Sequence, residues 1–270
     1  MDRQEFFPNK ERFSVVVATI LLAYTIAQFI DIPPTNSSIV LGGLIIPLGF
    51  NYATVVTIAV AGLTASGTDW ILRDHPTLDG RSTIPYLLLP SLSAWVLNIT
   101  LNNMADSSYR WAVLLIGGIF LFSVILAEYN AIYPEDFRQP VSSTLLSALS
   151  YALILALTVS LEGSNQRLII ALPAIALGTF TLSMRILQLN LSEQWPLLAS
   201  SGCTLITVQL ATTLHYLPVT PLSFGLVLLG TLYALINFIT NLSQDTPLKR
   251  AGLEALISVI LIWVAALWIN

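Results

Sequence analysis

Long apolar runs alternate along the chain with short segments that collect the charges, prolines and asparagines. A helix rises about 1.5 Å per residue and the hydrocarbon core of a bilayer is about 30 Å thick, so roughly 17–25 apolar residues suffice to cross it. Nine runs of that length occur, at Phe13–Ile30, Ile45–Ala65, Ile84–Leu101, Trp111–Ala127, Thr144–Leu161, Leu168–Met184, Trp195–Leu214, Pro221–Ile239 and Ala251–Ile269. They are continuously apolar, whereas a membrane barrel strand alternates between a lipid-facing and a lumen-facing residue. The pattern therefore predicts an all-α polytopic transmembrane bundle of about nine spans.

The second run is the hardest to bound. Ser37–Leu44 extends it toward its start, while Pro47 and Asn51 interrupt it. Cationic residues settle the parity. With nine spans and the N-terminus inside, Arg3, Lys10, Arg12, Arg73, Arg81, Arg138, Arg185, Lys249 and Arg250 lie on the inner side, and only Arg110 and Arg167 on the outer. Short cytoplasmic loops are enriched in Lys and Arg, so this nine-to-two split sets the orientation. Asn270 is then external, the Asp69–Arg81 loop internal, and Ile32–Leu44 an outer loop with an interfacial or re-entrant stretch. No connection is long enough to hold a soluble domain. Residues 1–270 are expected to form a single integral membrane domain without internal repeats.

Composition agrees with this reading. Hydrophobic residues make up 55% of the 270 and Lys, Arg, Asp and Glu only 26 of them. A soluble domain carries about 25% charged residues, so a water-facing surface cannot be built from this supply. A net charge of −4 with no basic run excludes a nucleic-acid binder. The single cysteine, Cys203, sits in an apolar run and reads as a packed thiol. Met1–Arg12 is polar and precedes an apolar run without a small-residue cleavage site, as in an uncleaved first span. Trp70, Trp111, Trp195, Trp263 and Trp268 lie mostly near span ends, where tryptophan anchors at the interface.

Small residues recur at helical spacing. Ala148, Ala152 and Ala156 on one span, and Ala171, Ala174 and Gly178 on the next, predict faces that neighbouring helices approach closely. Leu153 and Leu157 would then face lipid or a partner protein. Ionisable residues avoid the middle of every run. Glu128 and Arg185 fall just past the inner ends of their spans, Asp31 and His215 just past outer ends, and Arg250 with Glu254 forms an interfacial pair at i,i+4. Proton-coupled transport, which usually keeps such a group near the bilayer centre, is disfavoured. The break at Pro47–Asn51 admits a facilitator-type transporter with Asn51 toward its substrate.

The densest polar segment is Thr68–Arg81, with Asp69, Asp74, Asp79 and His75. Three carboxylates in one loop could hold a divalent cation or a diphosphate with Mg²⁺. The number of helices, the orientation and this acidic loop resemble the intramembrane prenyltransferases that attach polyprenyl groups to aromatic acceptors. The resemblance implies Mg²⁺ on carboxylates here and on a second acidic loop after the sixth span, where Glu193 is the one carboxylate present. The residues depart from that family's Asn-Asp-x-x-Asp-x-x-x-Asp pattern. Spacings of five leave successive carboxylates about 140° apart on a helix, whereas residues three or four apart share a face. The same segment also reads as an ordered, solvated loop: Asp69 and Arg73 pair at i,i+4, His75-Pro76 ends a helix, and Asp79-Gly80 makes a turn.

Neither histidine has a ligand partner at usable spacing and no Ser or Cys has a nearby base, so no catalytic residue or metal site is assigned and no cofactor is expected. Three functions follow: an accessory or scaffold subunit of a membrane complex; a prenyltransferase-like enzyme acting on a lipid diphosphate through Asp69, Asp74, Asp79 and Glu193 with Mg²⁺; and a facilitator using Asn51. The first is preferred. Its partners are the lipid bilayer and other membrane subunits or further copies of the chain, in a membrane taken to be the bacterial plasma membrane.

Overall fold

A computed structural model describes residues 10–27, 38–41, 44–47, 52–73, 75, 78, 82–103, 109–132, 138–164, 166–191 and 195–269. In chain order the described elements are α1 (Lys10–Ala27), β1 (Ser38–Leu41), β2 (Leu44–Pro47), α2 (Tyr52–Leu72), α3 (Ile84–Asn102), α4 (Tyr109–Ala131), α5 (Arg138–Gly163), α6 (Leu168–Leu191), α7 (Leu197–Leu214), α8 (Pro221–Ser243) and α9 (Leu248–Ile269). Eight of the nine described helices, α2 to α9, are long and apolar enough to cross a membrane, as expected of a polytopic bundle. The exception is α1, whose first turn carries Lys10, Glu11 and Arg12. The chain divides into two compact units, Met1–Tyr129 and Asn130–Asn270.

The second span departs from its expected bounds. Ile45 to Pro47 belong to a strand, the helix starts only at Tyr52, and it continues through Thr68, Asp69 and Trp70 to Leu72. β1 and β2 pair antiparallel with Ser38 opposite Pro47 and Leu41 opposite Leu44. Ile39, Val40, Ile45 and Ile46 are β-branched, the two residues between the strands are Gly42 and Gly43, and Pro47 closes the second strand. That composition favours a tight hairpin and keeps a helix from starting before the proline. A count of apolar residues cannot separate these strands from the helix that follows. At the far end, polar Thr68 and Asp69 close an apolar count but do not break a helix.

In the first unit α1 turns Phe13, Val16, Ile20 and Tyr24 inward, and α2 turns Thr57, Val60, Thr64 and Thr68 inward, each at steps of three or four. The Tyr24 hydroxyl donates to the carbonyl of Ala94 on α3, and the Asn98 amide of α3 donates to the Thr57 hydroxyl. Such bonds satisfy polar groups that hydrocarbon could not. Glycine sets three close approaches. A Cβ on Gly67 would stand 2.6 Å from Val16 Cγ1, one on Gly118 would stand 2.8 Å from Leu21 Cδ2, and one on Gly117 would run into Leu97 Cδ1. Phe13 meets Phe122 of α4 edge to face at 4.6 Å.

In the second unit α5 packs against α6 and α8, α7 against α6 and α8, and α9 against α8. The small face expected on α6 is present at two of its three positions: Ala171 and Gly178 are buried while Ala174 is half-buried, and a Cβ on Gly178 would collide with Leu157 Cδ2. On α5 the expectation is inverted. Ala148, Ala152 and Ala156 are exposed, whereas Leu153 and Leu157 are buried. One small partner suffices at a seam. Gly178 supplies the hole and Leu157 the knob, so the large face of α5 is the one that packs.

The hydroxyl of Ser223 on α8 donates to the carbonyl of Ala266 on α9 at 2.8 Å, and Trp263 Nε1 donates to the carbonyl of Val227 at 3.2 Å. Trp263 thus ties two helices together. The expected Arg250–Glu254 pair is present at 3.2 Å, and Glu254 also accepts from the Asn241 amide at 2.9 Å. Only Ala251 and Ala266 of α9 are buried, so its remaining surface, with Leu253, Leu256, Ile260, Leu261 and Leu267 exposed, suits hydrocarbon.

Candidate functional site

Polar side chains of the first unit gather where α2 ends and α3 begins. Asp69 lies in the last turn of α2. Its Oδ2 stands 2.7 Å from Arg73 Nη2, the expected i,i+4 pair, and its Oδ1 accepts a 2.6 Å hydrogen bond from the hydroxyl of Thr83, the residue before α3. The Arg73 side chain is 73% exposed, so that ion pair contributes about 0–1 kcal/mol at most. The Thr83 bond spans 14 residues and joins two helices, and no local spacing rule foretells it. The carboxylate thus acts as a clasp across the connection.

His75 follows immediately. Its backbone N–H donates to the carbonyl of Leu72 at 2.9 Å and its own carbonyl accepts from Leu78 at 3.2 Å, so the chain leaves the helix here as His75-Pro76 predicts. The imidazole is buried, 4.7 Å edge to face from the ring of Tyr129 near the end of α4. The apolar surroundings disfavour the charged imidazolium and push the His75 pKa below its ordinary value. Nearby, the Thr68 hydroxyl is fully buried without a hydrogen-bond partner among the described residues. The other candidates, Asn51, Asp74, Asp79 and Glu193, lie outside the described residues. Among those described, no group of three His, Cys, Asp or Glu side chains is placed to hold a metal ion.

Two ionisable residues are more deeply placed than the sequence suggests. Glu128 on α4 is fully buried and Arg185 on α6 is 2% exposed, with Nη1 donating to Gln188 Oε1 at 3.0 Å. The apolar count puts both just beyond their spans. Instead α4 continues to Ala131 and α6 to Leu191. Neither proline nor glycine intervenes, and Glu, Arg, Leu and Gln all extend a helix once it has begun. A second pairing escapes any local rule: His215 Nδ1 at the end of α7 stands 3.1 Å from Glu162 Oε2 at the end of α5.

The lowered His75 pKa has a testable consequence. The folded state disfavours the protonated ring, so this group's contribution to stability is present above the unfolded value near 6.5 and is lost as pH falls below it through the folded pKa. The apparent thermal midpoint should therefore drop on acidification from about pH 7 to about pH 5. His75→Phe, which keeps a ring against Tyr129, should flatten that drop. An unchanged slope in the variant would assign the acid sensitivity to other groups.

The eight long apolar helices fit a multi-pass membrane protein. The chain belongs to the family described as a protein of unknown function, DUF5656, which it matches over residues 32–269. No curated protein and no solved structure matches it.

Proposed function

We propose that this protein is a non-catalytic accessory or scaffold subunit of a membrane complex, in a bacterial plasma membrane, with its N-terminus inside and Asn270 outside. One observation carries the reading. Asp69, the described member of the acidic segment, has both carboxylate oxygens engaged, Oδ1 by Thr83 in joining α2 to α3 and Oδ2 by Arg73 at the end of α2, so it is bound up in structure rather than presented to a ligand. Buried Glu128 and Arg185 would by default suggest a transport path. Both lie in the last third of their helices, and Arg185 is hydrogen-bonded to a side chain one turn away, which suits structural anchoring. The subunit reading predicts a fixed-stoichiometry assembly, heavier than the 29.4 kDa chain, when native membranes are gently solubilised.

The competing reading as a lipid-diphosphate enzyme is separated by a ligand test. A ligand at about 100 times its dissociation constant stabilises by about 2.7 kcal/mol. Mg²⁺ with a short isoprenyl diphosphate should leave the thermal midpoint unmoved, and Asp69→Asn should cost only about 1 kcal/mol through weakened contacts to Thr83 and Arg73. A shift that Asp69→Asn abolishes would replace the subunit by the enzyme.

Orientation is tested with single cysteines at Tyr216 and Asp245, both exposed in connections of the second unit. An impermeant thiol reagent on intact cells should label Tyr216→Cys and spare Asp245→Cys. The reverse pattern would invert the topology. Removing the buried Arg185 from the cation count still leaves eight inner against two outer, so the bias survives that correction.

A further inference from the structure

We propose that the β1–β2 hairpin is a lipid-binding element lying in the headgroup–acyl boundary of the bilayer, on the side from which α2 begins. Connectivity places it there. Pro47 is five residues from Tyr52, the first residue of a helix fit to cross the membrane. Five extended residues reach at most about 18 Å, so the hairpin cannot leave the vicinity of the membrane surface.

Its composition is equally restrictive. From Ile32 to Thr68 there is no charged residue. The register puts Ile39, Leu41, Leu44 and Ile46 on one face, and Ser38, Val40, Ile45 and Pro47 on the other. A strand pair with one face on a core and one in water alternates apolar with polar residues. Here both faces carry apolar residues, which water alone does not suit.

Backbone accounting excludes the hydrocarbon centre. The sheet has two strands, hence two edges. With two residues between the strands, Leu41–Leu44 and Ile39–Ile46 are the hydrogen-bonded pairs, and the backbone groups of Ser38, Val40, Ile45 and Pro47 point outward. Bilayer core offers no partner for them, whereas headgroups and interfacial water do. The outward edge of β2 makes a poor template for a strand from a second copy. Pro47 has no N–H, so the outward edge of β2 offers a single donor, that of Ile45. Lipid at the interface is the environment that satisfies both the apolar faces and the short edges.

The test is depth measurement by spin labelling on the full chain in phosphatidylcholine vesicles. Leu41→Cys and Ile45→Cys, one on each face, are compared in a Cys203→Ala background with Asp245→Cys as the aqueous reference and Leu205→Cys, exposed near the middle of α7, as the hydrocarbon reference. Both hairpin labels should show an oxygen-to-nickel accessibility ratio several-fold above Asp245→Cys and below Leu205→Cys. If either variant loses the wild-type thermal midpoint, Ile39→Cys and Val40→Cys report the same two faces. Nickel access equal to Asp245→Cys would mean a solvated hairpin. Exclusion of both reagents would mean cover by protein, a second copy included. A ratio matching Leu205→Cys would mean a re-entrant segment. Each of these three results overturns the proposal.

Discussion

Gly178→Leu should lower the stability of the detergent-solubilised protein by on the order of 1–3 kcal/mol, because the seam between α5 and α6 has no room for a side chain. Even a Cβ at position 178 collides with Leu157, which is itself fully buried and has little space into which to turn. Relief requires the two helices to part, and parting them forfeits the close contacts on which association in a membrane rests. Gly202→Leu is the matched control, since it makes the same substitution at an exposed position of α7 with nothing within 4 Å of the added Cβ. It should leave the midpoint nearly unchanged. Gly230→Leu belongs with Gly178: its Cβ would stand 2.9 Å from Ile262 Cβ, a branched position fixed close to the α9 backbone. A midpoint for Gly178→Leu equal to that of Gly202→Leu would place that face of α6 in lipid and dissolve the seam.

What the sequence makes legible is set by which forces act locally. Apolar run length is a direct readout of the bilayer's thickness, so eight spans and most of their bounds can be read off without tertiary knowledge. The Asp69–Arg73 pair and the helix end at His75 are legible for the same reason, since both depend on residues within one turn. The hairpin is not, because Ile, Val and Leu count equally toward a membrane helix and toward a strand, and only Gly42-Gly43 and Pro47 mark the difference. Nor is the packing face of α5. Ala148, Ala152 and Ala156 carry the usual small-residue signature, but a seam needs only one small side, and Gly178 on α6 already provides it. The Thr83 bond to Asp69 and the Glu162–His215 pair are non-local contacts between helix ends, and no spacing rule reaches across 14 or 53 residues. The site is therefore less legible than the fold: its one described carboxylate can be found by pattern, but its role as a clasp comes from a partner the pattern could not supply.

Arg185 is where the reading by charge fails most, and its removal should be among the costliest single changes in the second unit. A hydropathy count ends the sixth span at a cation, yet α6 runs on and residues 182–187 are all buried. Arg185→Ala deletes a long side chain from that packed turn, leaving a cavity and taking from Gln188 Oε1 the guanidinium donor. Truncating a buried side chain of comparable length to Ala costs about 2–5 kcal/mol, and losing a hydrogen bond to a charged group adds about 1.5–3 kcal/mol. Arg185→Met separates the two terms: it restores most of the volume but no donor, so its loss should fall between wild type and Ala. Gln188→Ala removes the other end of the bond and should cost less than Arg185→Ala, since the arginine is the more deeply buried of the two. The measurement is the thermal midpoint of the three variants under one detergent condition. Should Arg185→Ala stay within about 0.5 kcal/mol of wild type, the range of ordinary surface substitutions, the guanidinium would have to be solvated and the last turns of α6 would lie outside the packed bundle.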